Sequence, residues 1–108
     1  MKEAVLYTSP LNTKDNALYC SVLNVSGRPR SGTLQIFSGD GSSLAVGSYN
    51  NVAPGGSTGL AVYPPFPGPA PVMVAYGKVT VEGSKTDIRA NLTLSDSNGN
   101  TVAVAEAR

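Results

Sequence analysis

The 108-residue chain has no histidine and no tryptophan, and only one cysteine and two methionines. Each shortage excludes something. Histidine is the usual proton shuttle near neutral pH and the commonest nitrogen ligand for metals, so both roles lose their first candidate. Cys20 alone cannot form an internal disulfide, and with no histidine to act as base it is not expected to be a nucleophile. It reads instead as a small buried hydrophobe on the face it shares with Leu18 and Val22. Only 14% of residues are charged and the formal net charge is +1. The lysines and arginines are scattered rather than striped, so no field recruits nucleic acid or an acidic membrane surface. No apolar run approaches the roughly 18 to 20 residues that span a bilayer, and membrane insertion is not expected. The opening Met1-Lys2-Glu3-Ala4-Val5-Leu6-Tyr7 is too short and polar for a signal peptide, so the chain is expected to be soluble as it stands.

What the chain does have is a period of two. Runs such as Leu18-Tyr19-Cys20-Ser21-Val22 and Ile88-Arg89-Ala90-Asn91-Leu92-Thr93-Leu94 alternate apolar and polar residues, and each is closed by Gly, Pro, Asn or Asp. Such alternation buries one face of a strand and wets the other. Strands are predicted at 3–8, 17–25, 32–38, 43–49, 57–63, 71–82, 86–95 and 101–107. Turns are predicted at Gly27–Gly32, Ser38–Ser42, Ala53–Ser57 and Asp96–Asn100, where Asp-Gly, Pro-Gly and Asn-Gly pairs supply the backbone that tight turns demand. At this length, and with 41% hydrophobic residues, the chain is expected to be one domain over 1–108 with a core of its own. The fold class is all-β: a two-sheet antiparallel sandwich of seven or eight strands, immunoglobulin- or fibronectin-III-like.

Three segments carry finer expectations. In 71–82, Val72 and Val74 differ in parity from Val79 and Val81, which predicts a β-bulge at or near Gly77. The alternative is an inward set of Met73, Ala75, Val79 and Val81. The stretch Tyr63-Pro64-Pro65-Phe66-Pro67-Gly68-Pro69-Ala70-Pro71 reads as a stiff, extended crossover whose Phe66 packs on its own domain. The first strand, Glu3 to Ser9, is expected to lie along the edge of its own sandwich, with Asn12–Asn16 as a short turn into the next strand.

No reaction centre emerges. Asp96-Ser97-Asn98-Gly99-Asn100 begins like a calcium loop, but its glycine comes too early and no glutamate follows, so it reads as a hairpin turn. The acids are dispersed, with Glu82 and Asp87 near Lys85 and Arg89 read as ordinary surface charge, and no Gly-x-Ser-x-Gly elbow occurs. No catalytic residue, cofactor or metal is expected. The candidate contact patch is Tyr63 and Phe66 of the proline-rich crossover, together with Arg28 and Arg30 of Arg28-Pro29-Arg30. Asn24-Val25-Ser26 and Asn91-Leu92-Thr93 are sequons that matter only in a glycosylating pathway. The tyrosines are expected in core or sheet-face packing rather than in a sugar-stacking platform.

Residues 18–26, Leu-Tyr-Cys-Ser-Val-Leu-Asn-Val-Ser, and 83–92, Gly-Ser-Lys-Thr-Asp-Ile-Arg-Ala-Asn-Leu, resemble small exported bacterial proteins of unknown function with an immunoglobulin-like sandwich. The resemblance covers most of 17–108. It implies an exported or extracellular location and a second cysteine near Tyr76 or Gly77, which this chain lacks, and it implies no chemistry. The functional expectation is a non-enzymatic binding or structural module, with a protein partner or self-association and an unknown ligand. The alternatives are a subunit of a filament, fibre or viral shell that assembles by strand exchange or edge pairing, and a small carbohydrate-binding domain.

Overall fold

The computed structural model describes residues 2–14, 16–66 and 72–108. Nine strands run through them: β1 (Glu3–Tyr7), β2 (Leu11–Asn12), β3 (Ala17–Asn24), β4 (Arg30–Ser38), β5 (Ser43–Val52), β6 (Ser57–Val62), β7 (Val74–Glu82), β8 (Ile88–Ser95) and β9 (Thr101–Glu106). All pairings are antiparallel. One sheet has the order β1-β7-β4-β5, with β2 also on β7, and the other has the order β6-β3-β8-β9. The predicted two-sheet antiparallel sandwich is what forms, with nine strands rather than seven or eight because the two-residue β2 joins the edge of β7.

Alternation decides which side chains meet between the sheets. Leu18, Cys20 and Val22 of β3 and Ile88, Leu92 and Leu94 of β8 are buried from one layer. Leu34 and Ile36 of β4, Val79 and Val81 of β7 and Leu6 of β1 meet them from the other. Fully burying a Leu, Ile or Val contributes about 1.5 to 3 kcal/mol, so this interior is the main favourable term in the fold.

The expected bulge at Gly77 does not form. β7 runs in unbroken register against β4 from Gly32↔Val81 to Ser38↔Ala75, with Ile36↔Gly77 inside the run. Its inward set is Ala75, Gly77, Val79 and Val81, while Met73 is 72% exposed. The glycine answers close approaches on two sides: a Cβ there would lie 3.3 Å from Cys20 Sγ across the core and 3.3 Å from Cγ2 of Thr8, its neighbour in the same sheet. The irregularities fall elsewhere, between Arg30 and Gly32 against β5, between Ile36 and Phe37 against β5, and between Leu94 and Ser95 against β9. At the first of these Asn51 adopts φ +54°, a left-handed conformation that asparagine tolerates better than most residues.

Three boundaries also differ from the sequence pattern. Leu11-Asn12, expected at the start of a turn, pairs with Ala75 and Val74. The buried Thr13 extends that attachment, donating its hydroxyl hydrogen to the Val72 carbonyl at 2.5 Å and its amide hydrogen to the Met73 carbonyl. Arg30 to Gly32 belongs to β4 rather than to a turn. A three-residue 3-10 turn, Lys85–Asp87, precedes β8, and the Asp87 side chain accepts the Ser84 amide hydrogen at its start. The first strand lies where expected, on β7 of its own chain from Glu3↔Glu82 to Tyr7↔Lys78. Beyond it, Tyr7 and Arg108 exchange two backbone hydrogen bonds of 3.0 Å, which joins the two sheets along that edge.

Candidate functional site

The four residues of the candidate contact patch do not come together. Arg28 and Arg30 sit where β3 gives way to β4, at the end of the sandwich marked by the Leu23↔Ser57 pair. Tyr63 and Phe66 follow β6 at the other end, beyond Leu18↔Val62. At about 3.3 Å per residue the two pairs are roughly 20 Å apart. Arg28 is exposed, whereas Arg30 is partly buried and its Nη2 lies 3.1 Å from Asp87 Oδ2. Arg30 is thus a structural residue that ties the β3–β4 connection to the turn before β8. Phe66 packs partly buried against the core, as expected of the crossover, while the remainder of that proline-rich stretch, 67–71, lies outside the described residues.

Tyr63 is the member that stands free, at 69% exposure, and the fold gives it a neighbourhood that its sequence context does not show. The pairing Tyr19↔Ala61 sets Tyr19 of β3 beside β6 on the outer face, two positions before Tyr63. Gly59 sits one outward position further along β6, and a Cβ there would fall on the Tyr19 ring and hydroxyl. The glycine therefore lets the ring lie down across β6 with its outer face in solvent, at 45% exposure. Ala17↔Ser95 brings the Asp96 turn alongside. Tyr19, Tyr63, Ala61, Ser95, Asp96 and Ser97 line one open concavity of about 380 Å³.

The turn that borders it is rigid. Asp96 Oδ1 accepts the amide hydrogens of Asn98 and Asn100, both at 2.9 Å, and Gly99 takes φ +83°. The Asn100 amide foremost, with that of Asn98, holds the Asp96 carboxyl below its ordinary range, so it is an anion and acceptor at neutral pH. Its Oδ2 has a more distant neighbour, Asn100 Nδ2 at 3.5 Å.

The other candidates resolve into structure. Cys20 is fully buried, and burial pushes its thiol up to about 11, which makes it inert. Asn24 is 1% exposed; its Nδ2 donates to the Arg28 and Val52 carbonyls and its Oδ1 accepts from Ser26, so this sequon presents no free amide in the folded chain. The tyrosines divide. Tyr49 is buried and Tyr76 stacks on Phe37 with centroids 5.3 Å apart, as expected of packing residues, but Tyr7, Tyr19 and Tyr63 are exposed. A larger concavity, about 550 Å³, lies along the seam where Tyr7 to Leu11 meets Val104 to Arg108. Among the described residues no three His, Cys, Asp or Glu side chains gather as metal ligands would. No helix there is long and apolar enough to cross a membrane.

No family model and no curated protein matches the chain. Among solved structures, Thermotoga maritima 1070 is similar with a TM-score of 0.62 at 8% identity, over 96% of this chain and 91% of that one. The likeness is one of fold. FlgD from Xanthomonas campestris, described with hook capping essential for flagellar assembly, aligns at 13% identity with a TM-score of 0.40, over 97% of this chain and 67% of its own. FlgD from P. aeruginosa aligns at 14% identity with a TM-score of 0.36, over 95% and 70%.

Proposed function

We propose that the protein is a non-enzymatic binding module whose contact surface is the Tyr19–Tyr63 concavity. The observation that carries this reading is the pair of exposed tyrosines. Both are held beside a rigid acceptor turn, and neither contributes its ring to the core. Two aromatic side chains left in water on one outer face, to either side of Ala61, leave apolar surface exposed that the core does not use, and exposed aromatic surface of this kind marks interaction sites. The remaining perturbed side chains, Cys20, Tyr49 and Asp40, serve packing or turns and offer no acid–base pair.

The test is a titration of the isotopically labelled protein, followed by amide shifts, with separate panels of peptides, saccharides and small cationic and anionic metabolites. Shifts gathered at Tyr19, Tyr63 and 95–100, with every added compound recovered unchanged, support the reading. Turnover of a compound, or binding confined to the seam near Tyr7 and Arg108, replaces it.

A second reading, a subunit assembled by edge pairing, is favoured by the exposed valines Val102 and Val104 on the edge strand β9. Strand exchange fits less well, because β1 is already paired over five residues with β7 of its own chain. Sedimentation velocity across a wide concentration range separates the two. The immunoglobulin-like, exported class that the sequence resembles belongs to the same proposal, and fractionation of the source cells tests the location.

A further inference from the structure

We propose that the Tyr19–Tyr63 concavity binds a saccharide, stacking a neutral pyranose ring on tyrosine; the inference rests on the binding-module reading and names the ligand class of that surface. The weakly polar C–H faces of a pyranose fit a flat, amphipathic aromatic surface, and its rim of hydroxyls needs acceptors and donors at the edge. Both are present. Tyr63 projects into solvent as the stacking surface, two positions beyond the small Ala61 of β6, while Tyr19, opposite Ala61, borders the concavity and leans the other way, over Gly59. Asp96 supplies Oδ2, and the exposed Ser97 supplies a hydroxyl. A carboxylate anchored through two backbone amides at 2.9 Å is held in place before the ligand arrives, so little side-chain entropy is lost on binding.

The lining also excludes rivals. It contains Asp96 but no lysine or arginine, so phosphate, nucleotide and acidic sugar ligands meet a carboxylate and no compensating cation. A quaternary ammonium ligand takes an aromatic cage that surrounds it, whereas Tyr19 here lies against the sheet and leaves the site open on one side. A proline-rich peptide shares the stacking chemistry but makes less use of the Asp96 acceptor.

The deciding experiment titrates the labelled full chain separately with cellohexaose, chitohexaose, maltohexaose, xylohexaose, choline and a proline-rich decapeptide. The expected result is saturable shifts at Tyr19, Ala61, Tyr63 and 95–100 with at least one hexasaccharide. Affinity should drop about ten-fold or more in Tyr63→Ala and be largely kept in Tyr63→Phe. Asp96→Asn should weaken binding as well. Tyr63 is mostly in solvent, so its variants are expected to fold, and their amide spectra show directly whether they do. Shifts at these residues with choline or the decapeptide and with no saccharide overturn the saccharide assignment and leave the binding surface standing. Saccharide shifts that Tyr63→Ala does not weaken also overturn it. Shifts with none of the six overturn the assignment, while the broader panels still decide the binding-module reading.

Discussion

The hydroxyl of Tyr49 donates to the Thr80 carbonyl at 2.6 Å, passing directly over Gly32. Tyr49 stands on β5 and Thr80 on β7, with β4 between them, so one side chain clamps three strands of a sheet. Tyr49→Phe keeps the ring and removes the donor in a site 5% exposed, which should cost about 1 to 2 kcal/mol. Gly32→Ala should cost more, because its Cβ would collide with the Thr80 carbonyl as well as with the hydroxyl. Urea midpoints of the two variants check the order. A Gly32→Ala protein as stable as Tyr49→Phe would contradict the clamp.

The same tyrosine and Cys20 predict an alkaline limit. Burial, with the charge of Glu82 adding to it, pushes Tyr49 up to about 12 from 10.0, and burial pushes Cys20 up to about 11 from 9.0. In each case the fold holds the proton more tightly than the unfolded chain does. The stability linked to each group is therefore complete below its unfolded value and is lost as pH rises through the folded one. The Cys20 share should decline between pH 9 and 11, and the Tyr49 share between pH 10 and 12. Urea unfolding from pH 8 to 12 should show a shallower decline in the Cys20→Ala, Tyr49→Phe double variant than in the parent. Equal slopes count against it.

Gly77 tests the packing between sheets. Ala at this position would bring a methyl within 3.3 Å of both Cys20 Sγ and Thr8 Cγ2, tight enough to force a shift in a filled core. Gly77→Ala should destabilise by about 1 to 3 kcal/mol. Removing the sulfur with Cys20→Ala makes room, so the double variant should lose less than the sum of the singles. Strict additivity would show that Cys20 does not set the limit.

Much of this architecture is legible in period-two patterning, because burial on one face is a local property of a strand. Leu18, Cys20 and Val22 announce their inward face, and Asp40-Gly41 and Asn98-Gly99 announce their turns, with Gly41 and Gly99 at φ +93° and +83°. The sequence pattern alone predicts a bulge at Gly77, because a glycine within a strand signals either a bulge or a close approach. Only Cys20 across the core and Thr8 on the neighbouring strand end decide between them. Leu11-Asn12 is too short to show a period, and its pairing depends on β7 being alongside. The site is the extreme case. Tyr63 is conspicuous by itself, but Tyr19, Gly59 and Asp96 join it only through the order β6-β3-β8, which no local pattern encodes.

Asn24 is expected to be the most sensitive polar residue in the chain. Its amide donates to the Arg28 carbonyl at 2.7 Å and the Val52 carbonyl at 2.9 Å, tying the β3–β4 connection to the end of β5, while its oxygen holds Ser26. Asn24→Ala removes the donor to the Val52 carbonyl and the acceptor for Ser26, leaving the Arg28 carbonyl only its bond from the Ser26 hydroxyl, and should cost about 1 to 3 kcal/mol. Asn24→Asp restores the acceptor for Ser26 but sets a carboxylate against two carbonyl oxygens, so thermal unfolding should show no rescue. A stable Asp variant would mean that the two carbonyls matter little.

The first strand decides between a self-contained domain and one that completes a neighbour. β1 contributes the buried Leu6 to the core, and Thr8 Oγ1 accepts the Gly77 amide hydrogen at 2.8 Å. Tyr7 then pairs with Arg108 to join the sheets. Deleting residues 1–10 removes these contacts together and leaves an unpaired, apolar edge on β7. The truncated chain should therefore lose cooperative unfolding near room temperature, and a synthetic peptide of residues 2–10 added in trans should restore it by refilling the same register. The intact chain should sediment as a single species of constant mass across concentration, since its own β1 already occupies that edge. If it instead forms polymers that the truncation abolishes and the peptide caps, β1 is being donated to a neighbour and the assembly reading replaces the self-contained one.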